Sequence, residues 1–247
     1  MRAAGRITLI VALAAQAVFL SGCKTSGLIS ESQEIDIGRQ ASQDIERQNK
    51  LVADPALNQK VNRMGQTLAA RSDRSNLKYT FKILDTKEVN AVSLPGGWVY
   101  VNKGLIDELK GDDDMLSGVI AHEIGHVAAR HHASMMGRAT LYGIGVQVLV
   151  KGDAQQWVGI WANLDLLRWS RGDERQADQL GIKYAYGSPW QPDGLIRFLK
   201  ILDSKSKGDG GTFAAMLRTH PVTKERIELA EAYLQKLRQG GSAARTD

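Results

Sequence analysis

Cysteine is almost absent from this sequence of 247 residues, which contains only one, Cys23. A single thiol cannot form a disulfide within the chain, so the predicted fold does not depend on one. The sequence also lacks a strong excess of one charge, because 32 basic residues are balanced against 27 acidic ones. The net charge of +5 falls to about +3 if Arg2 and Arg6 are removed with a leader. This weak and dispersed balance argues against nucleic acid as a partner.

Hydrophobic runs long enough to span a membrane are lacking too. The apolar residues 7–20 would rise only about 21 Å as a helix, short of the roughly 30 Å hydrocarbon core of a bilayer. They follow two arginines and precede Ser21 and Gly22, which is the layout of a secretory signal. The 12 apolar residues at 139–150 predict a buried or membrane-apposed helix rather than a span.

The signal ends in LSGC at residues 20–23, which resembles the lipobox of bacterial lipoproteins. The resemblance implies cleavage before Cys23 and acylation of its thiol and new amino terminus. Lys24 at the next position favours the outer over the inner membrane by the same resemblance. An ordinary signal with an incidental cysteine is the alternative. We therefore expect a signal peptide over residues 1–22, a lipidated tether over 23–30, and attachment to the periplasmic face of an outer membrane.

Hydrophobic periodicity predicts an α+β domain over residues 31–239 and a disordered tail over 240–247. Strands are predicted at residues 79–84 and 98–101, with a turn at Pro95-Gly96-Gly97 before the second. The remaining segments predict helices that begin at Asp54-Pro55 and at the aspartates 112–114, and helices over 173–186, 192–203 and 223–238. Trp157, Trp161 and Trp169 favour packing in the core over a membrane- or substrate-facing patch.

The sequence HEIGH at residues 122–126 is the strongest chemical signal in the chain. On a helix, His122 and His126 differ by about 40° of rotation and 6 Å of rise, so both imidazoles can reach one ion. Zinc accepts nitrogen ligands and leaves a position for water when three protein groups hold it. Glu123 points about 100° round the helix, where it can serve as general base toward that water. A surface histidine pair is the alternative interpretation.

Two further histidines follow, and spacing excludes both from the same ion. His131 lies about 13 Å along a straight helix from His122, and His132 about 9 Å beyond His126. We expect both near a helix end, where an imidazolium suits the helix dipole.

A third ligand is expected from the acidic helix start near residue 173. Glu174 would complete a His₂Glu site, and Asp178, one turn on, could orient a ligating imidazole. Spacing alone does not choose Glu174 over Asp173. All three could instead be solvated acids favoured by the helix dipole.

Two segments carry a family resemblance: VIAHEIGHVAARHHA at 119–133 and SRGDERQADQLG at 170–181. They resemble the zinc metalloproteases of the HtpX and CAAX prenyl endopeptidase type, within the gluzincins, and in particular their LoiP- and BepA-like branch of periplasmic lipoproteins. The family pattern HExxH followed by ExxxD maps onto His122, Glu123, His126, Glu174 and Asp178. The segments NAVSLPGG at 90–97 and THPVTKERI at 219–227 resemble two more family blocks, in family order. Val92 and Ser93 depart from the family, which has Phe-Ala there.

The resemblance implies a compact, mostly helical gluzincin domain with a small β-sheet beside the HExxH helix. It implies one zinc ion per chain, held by His122, His126 and Glu174. His220 and Arg226 are expected over the zinc, touching the substrate carbonyl or oxyanion, with His220 ligating zinc in a closed resting state. From the residues alone, His220 is a turn histidine and Arg226 a surface charge.

The same resemblance implies a substrate groove. The strand after Leu94 is expected to offer an edge on which an extended peptide adds as a further strand. Asn90, Leu94, Pro95 and Gly96 are the expected substrate-binding residues, with Asn90 holding the peptide or the turn.

The expected function is that of a zinc endopeptidase, lipid-anchored in the outer membrane, that hydrolyses misfolded or misassembled envelope proteins. The outer-membrane assembly machinery is a candidate partner. A chaperone-like assembly factor that uses the same groove with little proteolysis is the rival hypothesis. A metal-binding lipoprotein without proteolytic activity is the third.

Overall fold

The computed structural model describes residues 25–141, 169–208 and 210–243. Cys23, the signal at residues 1–22, most of the apolar segment 139–150, and Trp157 and Trp161 lie outside the described residues. The elements in chain order are α1 (Glu31–Gln48), α2 (Pro55–Ala69), β1 (Thr80–Leu84), β2 (Ala91–Ser93), β3 (Trp98–Asn102), α3 (Lys103–Glu108), α4 (Asp113–Ala128), α5 (His131–Leu141), α6 (Arg171–Ala185), α7 (Gly194–Lys205), α8 (Ala214–Thr219) and α9 (Lys224–Ala243). The predicted α+β class is confirmed.

Side-chain caps fix the beginnings of α2 and of the two helices that carry most of the site, α4 and α6. Asp54 accepts from the N–H groups of Ala56 and Leu57, with Pro55 in the first turn of α2. Asp112 accepts from the Met115 N–H and begins α4, as the aspartate run predicts. Ser170 begins α6 with a capping box.

The last helix is longer than predicted. It continues to Ala243 and so enters the segment 240–247 that was expected to be a disordered tail.

The sheet has three strands in the order β1-β3-β2, and β3 pairs parallel with β1 and antiparallel with β2. Both predicted strands are confirmed. The expectation that the strand after Leu94 offers a free edge is wrong, because β3 is the central strand. The turn at residues 94–97 folds β2 back beside β3, with Gly96 and Gly97 at φ values of +76° and +110°. In the described sheet the unpaired edge on this side therefore belongs to β2.

Helix α4 lies at the centre of the domain, where it packs against α2, α6, α7 and β2. Every residue from Leu116 to Val127 is buried, so the protein surrounds this stretch of α4 on all sides. Within the described part of the chain, every helix is too short or too polar to cross a membrane. The histidines of HEIGH therefore sit in the core of the domain rather than on its surface.

Candidate active site

Three side chains from two helices converge at the centre of the fold. His122 and His126 project from α4 with their Nε2 atoms 3.1 Å apart. Glu174 comes from the first turn of α6, and its Oε1 lies 3.3 Å from His126 Nε2 while its Oε2 lies 3.7 Å from His122 Nε2. The surface histidine pair considered above is thereby excluded, because all three side chains are buried.

The other ring nitrogens of the two histidines face protein partners. His122 Nδ1 lies 3.0 Å from Asp178 Oδ1, and His126 Nδ1 lies 3.0 Å from His131 Nδ1. The indole of Trp169 stacks on the His126 ring with centroids 4.4 Å apart. Asp178 thus lies where an acid that orients a ligating imidazole was predicted.

This arrangement fits a metal ion. Four side chains each offer one ligand atom within 4.8 Å of the others: His122, His126, Glu174 and His220. Two Nε2 atoms and a carboxylate pointing at one buried space form a donor set that suits zinc. Burial lowers the pKa of His126 well below its usual value, which keeps the imidazole neutral. Burial opposes ionisation of Glu174, but His220 and Arg226 outweigh it and hold the carboxyl pKa well below its usual value. Both groups are therefore in metal-binding forms.

Asp173 is not part of the group, which resolves the choice that spacing left open. Its carboxylate accepts from the Ser170 hydroxyl at 2.7 Å and from Arg138 at 3.2 Å, so it caps α6 and joins it to α5. Glu174, one residue on, points into the core instead.

His220 lies among the ligand atoms, at the end of α8. Its Nδ1 is 3.0 Å from Glu174 Oε1 and 3.3 Å from His122 Nε2, and its Nε2 is 3.4 Å from Glu123 Oε1. Burial would lower the pKa of His220, but the Glu174 and Glu123 carboxylates outweigh it and raise the pKa. The structure brings this residue to the site, as the family resemblance implies.

The Arg226 guanidinium binds the carboxylates of Asp178 and Glu174. Its Nε and Nη2 donate to both oxygens of Asp178, each at 2.8 Å. Its Nη1 donates to the Pro221 carbonyl at 2.7 Å and lies 2.6 Å from Glu174 Oε2. Each nitrogen of the guanidinium is engaged by protein, and the contact of Arg226 with the substrate carbonyl or oxyanion stays a prediction.

The segment expected to bind substrate is mostly turned away from the metal group. Leu94 packs in a cluster with Ile37 and Ile45 of α1. A Cβ on Gly96 would lie 2.6 Å from the Ile35 Cα, so the turn is pressed against the same helix. The Asn90 side chain accepts from the Ala91 N–H at 3.0 Å and so fixes the start of β2. Leu94, Pro95 and Gly96 are buried in this turn, and their contact with substrate stays a prediction.

His131 and His132 lie near helix ends, as expected, but they are not the imidazolium groups that were expected. Helix α4 ends at Ala128, Arg130 adopts a φ of +57°, and α5 begins at His131, so the straight helix assumed for them does not exist. Burial lowers the pKa of both rings, to about 3 for His132, which keeps them neutral.

A serine at the end of β2, the shortest of the three described strands, also reaches the site. Ser93 of β2 donates to Glu123 Oε2 at 2.8 Å, and its carbonyl oxygen lies 3.0 Å from His132 Nε2. Sequence reasoning missed the roles of Ser93, His131 and His132. The departure from the family pattern at Ser93 was the one available signal.

The fold and the site together define a metallopeptidase domain built on the HExxH helix. The chain belongs to peptidase family M48, whose sequence model matches residues 55–234. Membership of this family confirms the predicted resemblance and implies a divalent metal at the site. The prediction of a zinc metalloendopeptidase is confirmed at the level of the family.

Three relatives show the breadth of the similarity. A beta-barrel assembly-enhancing protease of Yersinia pestis is 26% identical over 239 residues, which cover 92% of this chain and 49% of that protein. The mitochondrial metalloendopeptidase OMA1 of Schizosaccharomyces pombe is 30% identical over 177 residues, 70% of this chain and 52% of that protein. Metalloprotease YcaL of Escherichia coli is 26% identical, over 89% of this chain and 94% of that protein. The chain thus spans about half the length of the first two relatives.

Proposed function

We propose that this chain is a zinc-dependent endopeptidase, lipid-anchored through Cys23 to the periplasmic face of an outer membrane, that hydrolyses misfolded or misassembled envelope proteins. The observation that carries the proposal is the convergence of His122, His126 and Glu174 beside Glu123. Similarity to beta-barrel assembly-enhancing proteases supports the substrate class.

The chemistry follows from the placement of the site residues. Zinc held by His122, His126 and Glu174 would polarise the scissile carbonyl and lower the pKa of water. Glu123 Oε1 faces the same space and is positioned to take a proton from the attacking water and pass it to the departing amine. Arg226 and Asp178 hold Glu174 and His122 in place, so the ligand geometry is set before substrate arrives.

His220 gives the site a closed arrangement. Its Nδ1 occupies a position among the ligand atoms, 3.0 Å from Glu174 Oε1, so a peptide carbonyl must displace it to enter. This placement also favours the rival function, a chaperone-like assembly factor whose closed site binds polypeptide with little cleavage.

Replacement of the base tests the proposal. Purified protein should contain one zinc per chain and cleave an unfolded outer-membrane β-barrel protein. Glu123→Gln should keep the zinc and lose at least a hundredfold in rate, because general-base catalysis contributes about 10²–10⁴-fold. Glu108→Gln, which alters an exposed glutamate, should cleave at the wild-type rate. A zinc-loaded Glu123→Gln protein with the wild-type rate would contradict the mechanism.

The same assay separates the rival function. A His220→Ala protein that only suppresses aggregation of the barrel protein, with no cleavage at any zinc concentration, would favour the assembly factor. The lipid anchor has its own test, because Cys23→Ala should abolish incorporation of labelled palmitate.

A further inference from the structure

The two carboxylate oxygens of Glu123 have different surroundings. Oε2 accepts the Ser93 hydroxyl at 2.8 Å. Oε1 is buried and accepts no hydrogen bond from any residue that the structure describes, and it lies 3.4 Å from His220 Nε2. One oxygen of this buried side chain is therefore held, and the other faces the reaction space.

The backbone of Ser93 is fixed on both sides. Leu94 N–H donates to the Trp98 carbonyl at 2.8 Å, and Asn102 N–H donates to the Asn90 carbonyl at 3.0 Å. Hydrogen-bonded pairs alternate along antiparallel strands, so the polar backbone groups of Ser93 face away from β3. The serine hydroxyl thus projects from a strand whose register is set by the turn and by β3.

His132 contacts Ser93 on the side that faces away from β3. Its Nε2 lies 3.0 Å from the Ser93 carbonyl oxygen and 3.4 Å from the Ser93 hydroxyl oxygen. The Ser93 carbonyl oxygen can only accept, so His132 Nε2 carries a proton and donates to it. The Ser93 hydroxyl therefore keeps its own proton for Glu123. The hydrogen bonds therefore run in one direction, from His132 to Ser93 and from Ser93 to Glu123.

We propose that Ser93 is a positioning residue for the general base, whose hydroxyl anchors Glu123 Oε2 and so directs Oε1 toward the reacting water. The inference rests on the proposed proteolytic function. A carboxylate has a broad terminal torsion, so without the anchor Glu123 samples orientations in which Oε1 is turned away. A misdirected base lowers the rate of the chemical step and leaves substrate binding unchanged.

The test compares Ser93→Ala with Ser117→Ala. Both serines are fully buried, and the Ser117 hydroxyl donates to the Asp114 carbonyl on the catalytic helix, without contact to Glu123. For Ser93→Ala we expect kcat to fall about tenfold, with KM within about twofold and zinc content and thermal midpoint as in the wild type. Ser117→Ala should keep the wild-type kcat and KM.

A double-mutant cycle with Glu123→Gln distinguishes positioning from a general structural role. If Ser93 acts through Glu123, adding Ser93→Ala to Glu123→Gln should leave the residual rate unchanged. An equal tenfold loss in both backgrounds would overturn the inference, as would a Ser93→Ala enzyme with the wild-type kcat. Loss of zinc together with a lower thermal midpoint would also overturn it, since the hydroxyl would then support the fold. A wild-type protein that cleaves nothing would instead overturn the proposed function itself, and this inference with it.

Discussion

The second ring nitrogen of His126 faces another histidine, where a carboxylate or carbonyl commonly stands beside a metal ligand. His131 Nδ1 lies 3.0 Å from His126 Nδ1, and its Nε2 lies 3.2 Å from the Gln176 side-chain oxygen. Because burial keeps His131 neutral, Nε2–H donates to Gln176 and Nδ1 accepts the proton of His126. This assignment leaves His126 Nε2 as a lone-pair donor toward the metal.

Removing His131 should therefore weaken metal binding. For His131→Ala we expect the dissociation constant for zinc to rise about tenfold or more, because partners that orient ligands contribute about 10–100-fold. Titration against a chelator of known affinity measures this directly. Arg175→Ala is the control, since Arg175 pairs with Glu225 on an exposed part of α6 and does not touch the site. Wild-type affinity in His131→Ala would show that the ring does not orient His126.

The residues that were predicted from the sequence share one property. His122, Glu123 and His126 lie within two turns of α4, and Glu174 and Asp178 lie within two turns of α6, so helical spacing fixes the relation within each set. The choice of Glu174 over Asp173 came from the family resemblance. Ser93, His131 and His132 depend instead on a strand lying against a helix and on a helix break at Arg130. Neither condition is encoded in local periodicity.

At the scale of elements, the site depends on how closely α4 and α6 approach each other. A Cβ on Gly125 of α4 would lie 2.8 Å from the Ala177 carbonyl oxygen, and one on Gly181 of α6 would lie 2.9 Å from the His122 nitrogen. Each helix thus presents a glycine to the backbone of the other. This contact brings Glu174 within reach of two histidines on the neighbouring helix.

A methyl group at this crossing should separate the two helices. We expect Gly181→Ala to destabilise the protein by about 1–3 kcal/mol, the usual range for overpacking, and to weaken zinc binding because Glu174 moves with α6. Gly172→Ala on the same helix is a matched control, because its nearest neighbour would be 3.7 Å away and alanine favours a helix. Urea unfolding and zinc titration measure both effects. Equal stability of the two variants would contradict the crossing argument.

The sequence predicted the elements better than their arrangement. Caps at Asp54 and Asp112 and the alternation in residues 79–84 identified two helices and a strand because these signals are local. The order of the strands was not predicted, since the position of β3 between β1 and β2 depends on a parallel pairing between distant segments. The assumed substrate edge was misplaced for the same reason.

At the scale of the whole molecule, buried charged side chains connect α1 to the C-terminal end of α4, the helix that carries His122, Glu123 and His126. Glu34 of α1 is fully buried and accepts from Arg74 at 3.1 Å and from Arg130 at 3.0 Å. Arg74 also donates to the Val127 carbonyl in the last turn of α4, and Arg130 donates to the Ile29 carbonyl just before α1. These hydrogen bonds and ion pairs therefore hold α1, the helix that follows the expected tether, next to the end of α4.

Neutralising Glu34 should destabilise the domain far more than neutralising an exposed acid of the same helix. Glu34→Gln removes the buried carboxylate that Arg74 and Arg130 share, and Arg74 keeps only the half-exposed Glu31 as a partner. Breaking a buried pair in this way costs about 3–5 kcal/mol. Asp36→Asn removes an exposed pair with Arg39 and should cost less than about 1 kcal/mol. The free energy of unfolding in urea, measured with zinc bound, compares the two directly. Because neither residue contacts the metal group, both folded variants should keep the wild-type affinity for zinc. A Glu34→Gln protein as stable as Asp36→Asn would show that α1 is held by its apolar face alone.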